Sequence, residues 1–255
     1  VYNGDGADPF ARTGATSAEQ LHRAGAVGVV LGHSEVGDTP DILRKKLFTI
    51  VDKAGEKGNF LNNVTLLVGE SWDEFDKHSP EEVAQLVTRH LLEITHGLPP
   101  EFIERLVVGY EPKWGSRGSG RDDMPPPSPA LISLVAKNMR ESLEKAFGDT
   151  GKNIPIIYGG RSTPERTKEI LADENVEGLI LGSACNTIAK TMEIANSMAE
   201  VRPGKRKILH ANFKAYDLGE TYEQYVETLS KLDYTFTVYL SPAHVDLLEA
   251  RAAIK

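Results

Sequence analysis

Short apolar runs alternate with amphipathic stretches along nearly the whole of this 255-residue chain. The runs are rich in leucine and β-branched residues, while the stretches between them place apolar residues at three- and four-residue steps, as an amphipathic helix does. Alternating strands and helices predict parallel βα units in a single sheet. Strands are predicted at residues 27–31, 64–68, 106–110, 154–158, 179–181, 207–209 and 235–240, with a short eighth at residues 1–3. Helices are predicted at residues 42–57, 80–95, 130–147, 163–172, 187–198 and 221–230.

This rhythm and the chain length favour the eight-stranded α/β barrel, which typically has roughly 250 residues. We therefore predict a single (β/α)8 barrel domain of the α/β class over residues 1–255. A doubly wound open sheet is the alternative, but the sequence lacks an obvious dinucleotide-binding glycine loop.

The composition restricts the cellular compartment and the classes of binding partner that suit this chain. A net charge of −8 without a basic block argues against nucleic acid or an acidic membrane as a partner. The single cysteine, Cys185, excludes an internal disulfide, fits a reducing compartment and is expected to be a small buried apolar residue. Because the sequence shows neither an apolar run of about 18 residues nor a signal-peptide pattern, we predict a cytoplasmic protein with no membrane partner.

Two polar residues follow predicted strands, at the carboxyl ends where an α/β barrel gathers its catalytic groups. Glu111 precedes Pro112 and a glycine-containing loop, where burial would raise the pKa of its carboxyl group and suit it to act as a general base. His33 is placed to donate a hydrogen bond to a substrate carbonyl, with Glu35 as its network partner. A solvated glutamate and a purely structural histidine are the respective alternatives.

Asn212 and Lys214 follow a third strand and share one side of it, because side chains alternate along a strand. A cation and an amide aimed together into the mouth of a barrel suit an anionic substrate with a developing oxyanion. An ordinary surface lysine is the alternative.

Three glycine-bearing loops are candidates for phosphate binding: Gly118-Ser119-Gly120, Gly159-Gly160 and Gly182-Ser183. Backbone N–H groups at a glycine-rich helix start can cradle a phosphate, and phosphate sites in this barrel usually occupy the last two loops. Four prolines within residues 122–129 predict a stiff, extended segment after the first of these loops.

Together these segments resemble the triosephosphate isomerase family, and the resemblance covers nearly the whole chain. It is carried by Leu31-Gly32-His33-Ser34-Glu35, Tyr110-Glu111-Pro112-Lys113-Trp114, Tyr158-Gly159-Gly160, Leu181-Gly182-Ser183-Ala184, Asn212-Phe213-Lys214 and Thr13-Gly14.

The resemblance implies an isomerase that interconverts an aldose phosphate and a ketose phosphate through an enediolate, in the first instance glyceraldehyde 3-phosphate and dihydroxyacetone phosphate. It implies no metal and no organic cofactor, and a homodimer formed through the loop that contains Thr13. The implied catalytic residues are Glu111, which moves the proton, neutral His33, which polarises the carbonyl, Lys214 and Asn212, which stabilise the enediolate, and Glu35. The implied phosphate-binding residues are Gly118, Arg161, Gly182 and Ser183.

The order of the segments is rotated relative to the family, whose members begin with the strand that carries Asn and Lys. We therefore predict a circular permutation with the cut between helix 2 and strand 3 of the family order. Residues 1–200 would hold family strands 3–8, residues 201–206 the join, and residues 207–255 family strands 1 and 2.

Several residues depart from the family pattern. Arg161 stands where a phosphate-binding serine is expected, Ser183 replaces a glycine, and the loop of residues 115–120 is longer and lacks its apolar tip. These departures leave two alternatives open: a sister isomerase for a four-carbon sugar phosphate, and a catalytically silent permuted barrel.

Overall fold

The computed structural model describes residues 16–57, 60–116, 118–233 and 235–254, and within them seven parallel strands form one sheet. The strands pair in chain order, from β1 to β7. Their bounds are β1 Gly28–Leu31, β2 Asn63–Val68, β3 Leu106–Tyr110, β4 Ile156–Gly159, β5 Gly178–Leu181, β6 Lys207–Asn212 and β7 Phe236–Ser241.

Helices follow the strands in the predicted alternation. Their bounds are α1 Ala18–Arg23, α2 Pro40–Lys57, α3 Trp72–Lys77, α4 Pro80–Thr95, α5 Pro100–Ile103, α6 Pro129–Lys152, α7 Pro164–Leu171, α8 Ile188–Val201, α9 Tyr222–Leu229 and α10 Leu247–Ala253. Helix α4 has the predicted bounds, fixed at its start by a capping box in which Ser79 and Glu82 satisfy each other's backbone N–H groups. Helix α6 runs past the predicted end, with a break at Gly148, whose φ of 61° is not helical.

Alternation along the strands separates two apolar layers. In β2, Val64, Leu66 and Val68 pack against the surrounding helices, whereas Leu67 points to the inside of the curled sheet. The inner layer contains one buried apolar residue from each of the strands β2 to β6: Leu67, Val107, Ile157, Ile180 and Ile208. Two separate layers of this kind are what a sheet needs when it curls into a nearly closed barrel. Cys185 lies fully buried in the outer layer, as predicted.

The strand bounds differ from the prediction where backbone pairing decides them. Strand β4 begins at Ile156 because Pro155 has no N–H group, although its carbonyl still accepts a bond from the N–H of Val108 at 2.9 Å. Strand β6 extends to Asn212, which pairs with Ser241 of β7. The seven strands of the described part of the chain correspond to the seven strands predicted between residues 27 and 240.

The residues predicted as an eighth strand, 1–3, lie outside the described residues, as does Thr13. Within the described ranges β1 and β7 are each paired on one side only, and a cavity of about 1180 Å³ lies between them. Its walls include Val30 and Tyr239 of the inner layer. None of the described helices is long and apolar enough to cross a membrane.

Candidate active site

The carboxyl ends of the strands surround a cavity of about 360 Å³, and most of the predicted site residues line it. They come from five different strand ends: His33 after β1, Glu111 after β3, Arg161 after β4, Gly182 and Ser183 after β5, and Asn212 and Lys214 at the end of β6. His33 and Lys214, 181 positions apart in sequence, thus share one pocket, as the topology of a parallel barrel requires.

The carboxylate of Glu111 is almost completely buried in this cavity, with 6% of the residue exposed. Its Oε2 accepts a hydrogen bond from the backbone N–H of Ser34 at 3.0 Å, and its Oε1 accepts one from the Ser116 hydroxyl at 3.3 Å. Burial raises the pKa of Glu111 to about 7, while these hydrogen bonds and the charge of Lys214 act in the opposite direction. A carboxyl group of this kind can give and take a proton near neutral pH.

The imidazole of His33 lies beside that carboxylate, with 3.5 Å between His33 Nε2 and Glu111 Oε1. The backbone N–H of Glu35 donates to His33 Nδ1 at 3.2 Å, so Nδ1 is an acceptor and the hydrogen of the neutral ring is on Nε2. Burial, and after it the charge of Lys214, lowers the pKa of His33. The ring is therefore a neutral donor that faces the cavity.

Gly32 fixes where His33 enters the cavity. Its φ is +82°, and a Cβ atom added to it would lie 2.1 Å from the carbonyl oxygen of Leu67. Gly37, a few residues later, also has a positive φ of +72° but open space around it. Both glycines have a positive φ, but only Gly32 also lies so close to another backbone segment that a side chain would clash with it.

We expect Gly32→Ala to lower the free energy of unfolding by about 1–3 kcal/mol more than Gly37→Ala, because only the first adds a clash with the backbone of β2. Urea unfolding of both variants measures the difference. Equal losses would mean that the approach of Gly32 to Leu67 is relieved at no cost.

Lys214 is held in place by its own backbone conformation and by two polar partners. Its φ of 51° is unusual for a residue with a side chain, and its N–H donates to Asn212 Oδ1 at 3.2 Å. Its ammonium group forms an ion pair with Glu35 and lies next to Gly182, where an added Cβ atom would be 3.6 Å from Nζ. The predicted cation, amide and acid are thus one connected group at the end of β6.

Three of the four predicted phosphate-binding residues line the cavity, and the fourth, Gly118, does not. Gly182 and Ser183 open a short 3₁₀ turn before α8 and line the cavity. Gly118 lies instead on the exposed loop, and its N–H donates to both carboxylate oxygens of Asp122 at 3.0 Å. Arg161 lines the cavity, but its guanidinium donates to backbone carbonyl oxygens of the loop.

Glu70 is a buried carboxylate that the sequence prediction missed. It is fully buried after β2, and its Oε1 accepts hydrogen bonds from the Trp114 indole at 2.9 Å and the Tyr110 hydroxyl at 3.1 Å. Burial raises the pKa of this carboxyl group as well. Its position after a predicted strand, the same signal that singled out Glu111, could have identified it.

Comparison with known proteins agrees with this geometry. The family model described as triosephosphate isomerase matches residues 3–198. The chain belongs to the triosephosphate isomerase family. It is an enzyme of the isomerase class.

Individual triosephosphate isomerases give the same result. The chain is 34% identical over 199 residues to the enzyme of Xanthobacter flavus, a match that covers 75% of this chain and 72% of that relative. It is 30% identical over 214 residues to the enzyme of Protochlamydia amoebophila, with 82% and 75% covered. The enzyme of Rhodopseudomonas palustris is 34% identical over 191 residues, with 72% and 68% covered. The match to the family model ends at residue 198, before β6 begins at Lys207.

Proposed function

We propose that the protein interconverts glyceraldehyde 3-phosphate and dihydroxyacetone phosphate by proton transfer through an enediolate. The observation that carries the proposal is the pairing of the buried Glu111 carboxylate with the neutral His33 ring, 3.5 Å apart in one cavity. Family membership supports the same aldose–ketose isomerisation, a reaction of glycolysis and gluconeogenesis.

Each of the central groups has one step in this reaction. Glu111 removes a proton from the carbon next to the carbonyl group and returns it to the neighbouring carbon. His33 donates a hydrogen bond from Nε2–H to the carbonyl oxygen, which becomes the enediolate oxygen. It then gives this proton to that oxygen and takes the hydroxyl proton on the neighbouring carbon in return, so the ring ends neutral as it began. Lys214 lies close enough to influence both groups, since its charge lowers the pKa of each. It stabilises the negative charge that develops on the oxygen.

Asn212 and Glu35 hold this cation. Asn212 Oδ1 accepts the backbone N–H of Lys214, and Glu35 forms an ion pair with its ammonium group. Glu35 also contributes its own N–H to His33 Nδ1, which fixes the ring form with hydrogen on Nε2. Two catalytic groups are thereby oriented by one short turn after β1.

The phosphate group of the substrate is proposed to bind at Gly182 and Ser183, beside Lys214 and under the positive charge of Arg161. Support comes from their place on the cavity wall at the start of a turn, where backbone N–H groups are exposed. Binding at Gly118 requires its N–H to exchange Asp122 for the phosphate, because Asp122 now accepts that bond.

The test is an assay with both three-carbon and four-carbon aldose and ketose phosphates, run in parallel with Glu111→Gln to detect contaminating host isomerase. We expect turnover of the three-carbon pair, and loss of it in the variant. Turnover of the four-carbon pair alone would replace the proposed substrate with the larger one. Absence of turnover, with a phosphorylated enediolate mimic still bound, would identify a silent barrel.

We propose further that the fold is the eight-stranded barrel of the family in permuted order, with the cut between family helix 2 and strand 3. Support comes from the family match at residues 3–198, which leaves residues 207–255 to form β6 and β7 next to β5. The place for an eighth strand is the gap between β7 and β1. Thr16 is joined to the loop after β7 by a 3.1 Å hydrogen bond to His244, so the first described residues lie beside that gap.

The substrate, assembly and location follow from the same proposal. The partner is a small phosphorylated sugar rather than nucleic acid or a membrane, in line with the net charge of −8. A homodimer through the loop of Thr13 and a cytoplasmic location are proposed from the family resemblance and from the single cysteine.

A further inference from the structure

One arginine ties the two sides of a loop together beside the active site. The loop comprises residues 114–124, of which residue 117 lies outside the described part. Arg161 donates from Nε to the carbonyl oxygen of Gly115 at 3.3 Å, from Nη1 to that of Asp122 at 3.1 Å, and from Nη2 to that of Met124 at 2.6 Å. Because the guanidinium is planar and rigid, these three bonds set the spacing between the early and the late side of the loop.

A second arginine anchors the first. Arg166, in helix α7, donates from Nε to the carbonyl oxygen of Arg161 at 3.2 Å and from Nη2 to that of Pro127 at 2.9 Å. The proline-rich segment downstream of the loop is therefore fixed to the start of α7. The backbone of Arg161 is fixed to helix α7 by this bond, while its side chain extends to the loop.

The loop in turn reaches the buried carboxylate. Ser116 follows Gly115, whose carbonyl oxygen Arg161 holds, and the Ser116 hydroxyl donates to Glu111 Oε1 at 3.3 Å. A displacement of Gly115 moves Ser116 with it, because the two residues are adjacent. The contact is local and leaves the other hydrogen bond to Glu111, from the N–H of Ser34, untouched.

We propose that Arg161 is a positioning residue that holds the loop so that the Ser116 hydroxyl reaches the Glu111 carboxylate. Three of its five N–H donors bond to loop carbonyl oxygens, and it is through these bonds, by way of Ser116, that it acts on the reaction. The inference rests on the proposed function in one respect, that Glu111 is the base.

A hydrogen bond to the ionised carboxylate favours the ionised form, and the Ser116 bond is among the causes that lower the pKa of Glu111. Among the described residues, the charged or titratable side chains that line the cavity with Glu111 are those of His33, Arg161, Arg166, Lys190, Glu193, Lys214 and Tyr216. Of these, Lys214 lowers the pKa of Glu111 by its charge. Without the Ser116 bond, less opposes the effect of burial, so the pKa of Glu111 rises. The acidic limb of kcat/KM then moves to higher pH.

The experiment compares Arg161→Gln, Arg161→Lys, Ser116→Ala and the double variant that combines Arg161→Gln with Ser116→Ala. We expect each single variant to move the acidic limb up by about half to one pH unit. The double variant should move it no further than Ser116→Ala alone, because both changes remove the same hydrogen bond. Arg161→Lys keeps the charge but not the three-way geometry, so it should behave like Arg161→Gln.

Two results would overturn the proposal: shifts that add in the double variant, or an unmoved limb with a higher KM that Arg161→Lys restores. The second result would make Arg161 a substrate ligand. The titration of Glu111 is also readable without turnover, by NMR of protein labelled at glutamate Cδ, with Glu111→Gln to assign the signal. A shifted titration in protein that fails the isomerase assay would refute the proposed function and support the role of Arg161.

Discussion

Replacing Glu111 with glutamine is expected to lower kcat by about 10²–10⁴-fold or more, the contribution typical of a general base. Glutamine keeps the size of the side chain, and its one amide oxygen can accept the hydrogen bond from Ser34 N–H while its NH2 group donates to the Ser116 hydroxyl, but it cannot take a proton. Steady-state kinetics of the purified variant measure the loss. A residual rate within tenfold of the unmodified protein would remove Glu111 from the role of base.

The same substitution should change stability with a definite dependence on pH. The pKa of Glu111 is raised from 4.5 to about 7 by folding, so the folded state favours the protonated form. Its favourable contribution is complete below about pH 4.5 and is lost as the pH rises through about 7. At pH 8 the unmodified protein carries a buried charge that glutamine avoids, a difference of about 2–4 kcal/mol at 1.36 kcal/mol per pKa unit.

Urea unfolding at pH 5 and pH 8 checks this sign. The free energy of unfolding of Glu111→Gln minus that of the unmodified protein should be larger at pH 8 than at pH 5. The same difference for Glu169→Gln, at an exposed position of α7, should not change with pH. A larger gain at pH 5 than at pH 8 would show that burial does not control this carboxyl group.

The sequence was most predictive where local pattern and position coincide. The bounds of β3 and α4 agreed with the prediction, because an apolar strand and a capped amphipathic helix are defined by their own residues. The strand-end rule also brought Glu111, His33 and Lys214 into one cavity, since parallel strands of one barrel end on the same face.

Side-chain partners across loops could not be predicted in the same way. Arg161 was expected to bind phosphate, yet its guanidinium bonds to three loop carbonyls whose positions depend on the tertiary path of the loop. The N–H of Gly118 is likewise used by Asp122, four residues further on. Long side chains and loop amides choose among partners that only the folded chain supplies, so residue type and spacing leave them undetermined.

Replacing Lys214 with methionine should lower kcat/KM by about 10²–10³-fold, the cost typical of removing one group that stabilises a developing oxyanion. It should also move the acidic limb of kcat/KM to higher pH, because the charge of Lys214 lowers the pKa of Glu111. Lys190→Met is the matched control, since Lys190 is a second lysine on the wall of the same cavity but at its exposed edge. We expect that control to change KM modestly and to leave the acidic limb in place.

The two effects of Lys214→Met separate its possible roles. A cation that only attracts the anionic substrate would act through KM and would be imitated by Lys190→Met, particularly at low salt. A cation that sits among Glu111, His33 and the reacting oxygen must change kcat and the pH profile together. An unchanged kcat and an unchanged acidic limb in Lys214→Met would place the ammonium group outside the chemistry and leave it as the ion-pair partner of Glu35.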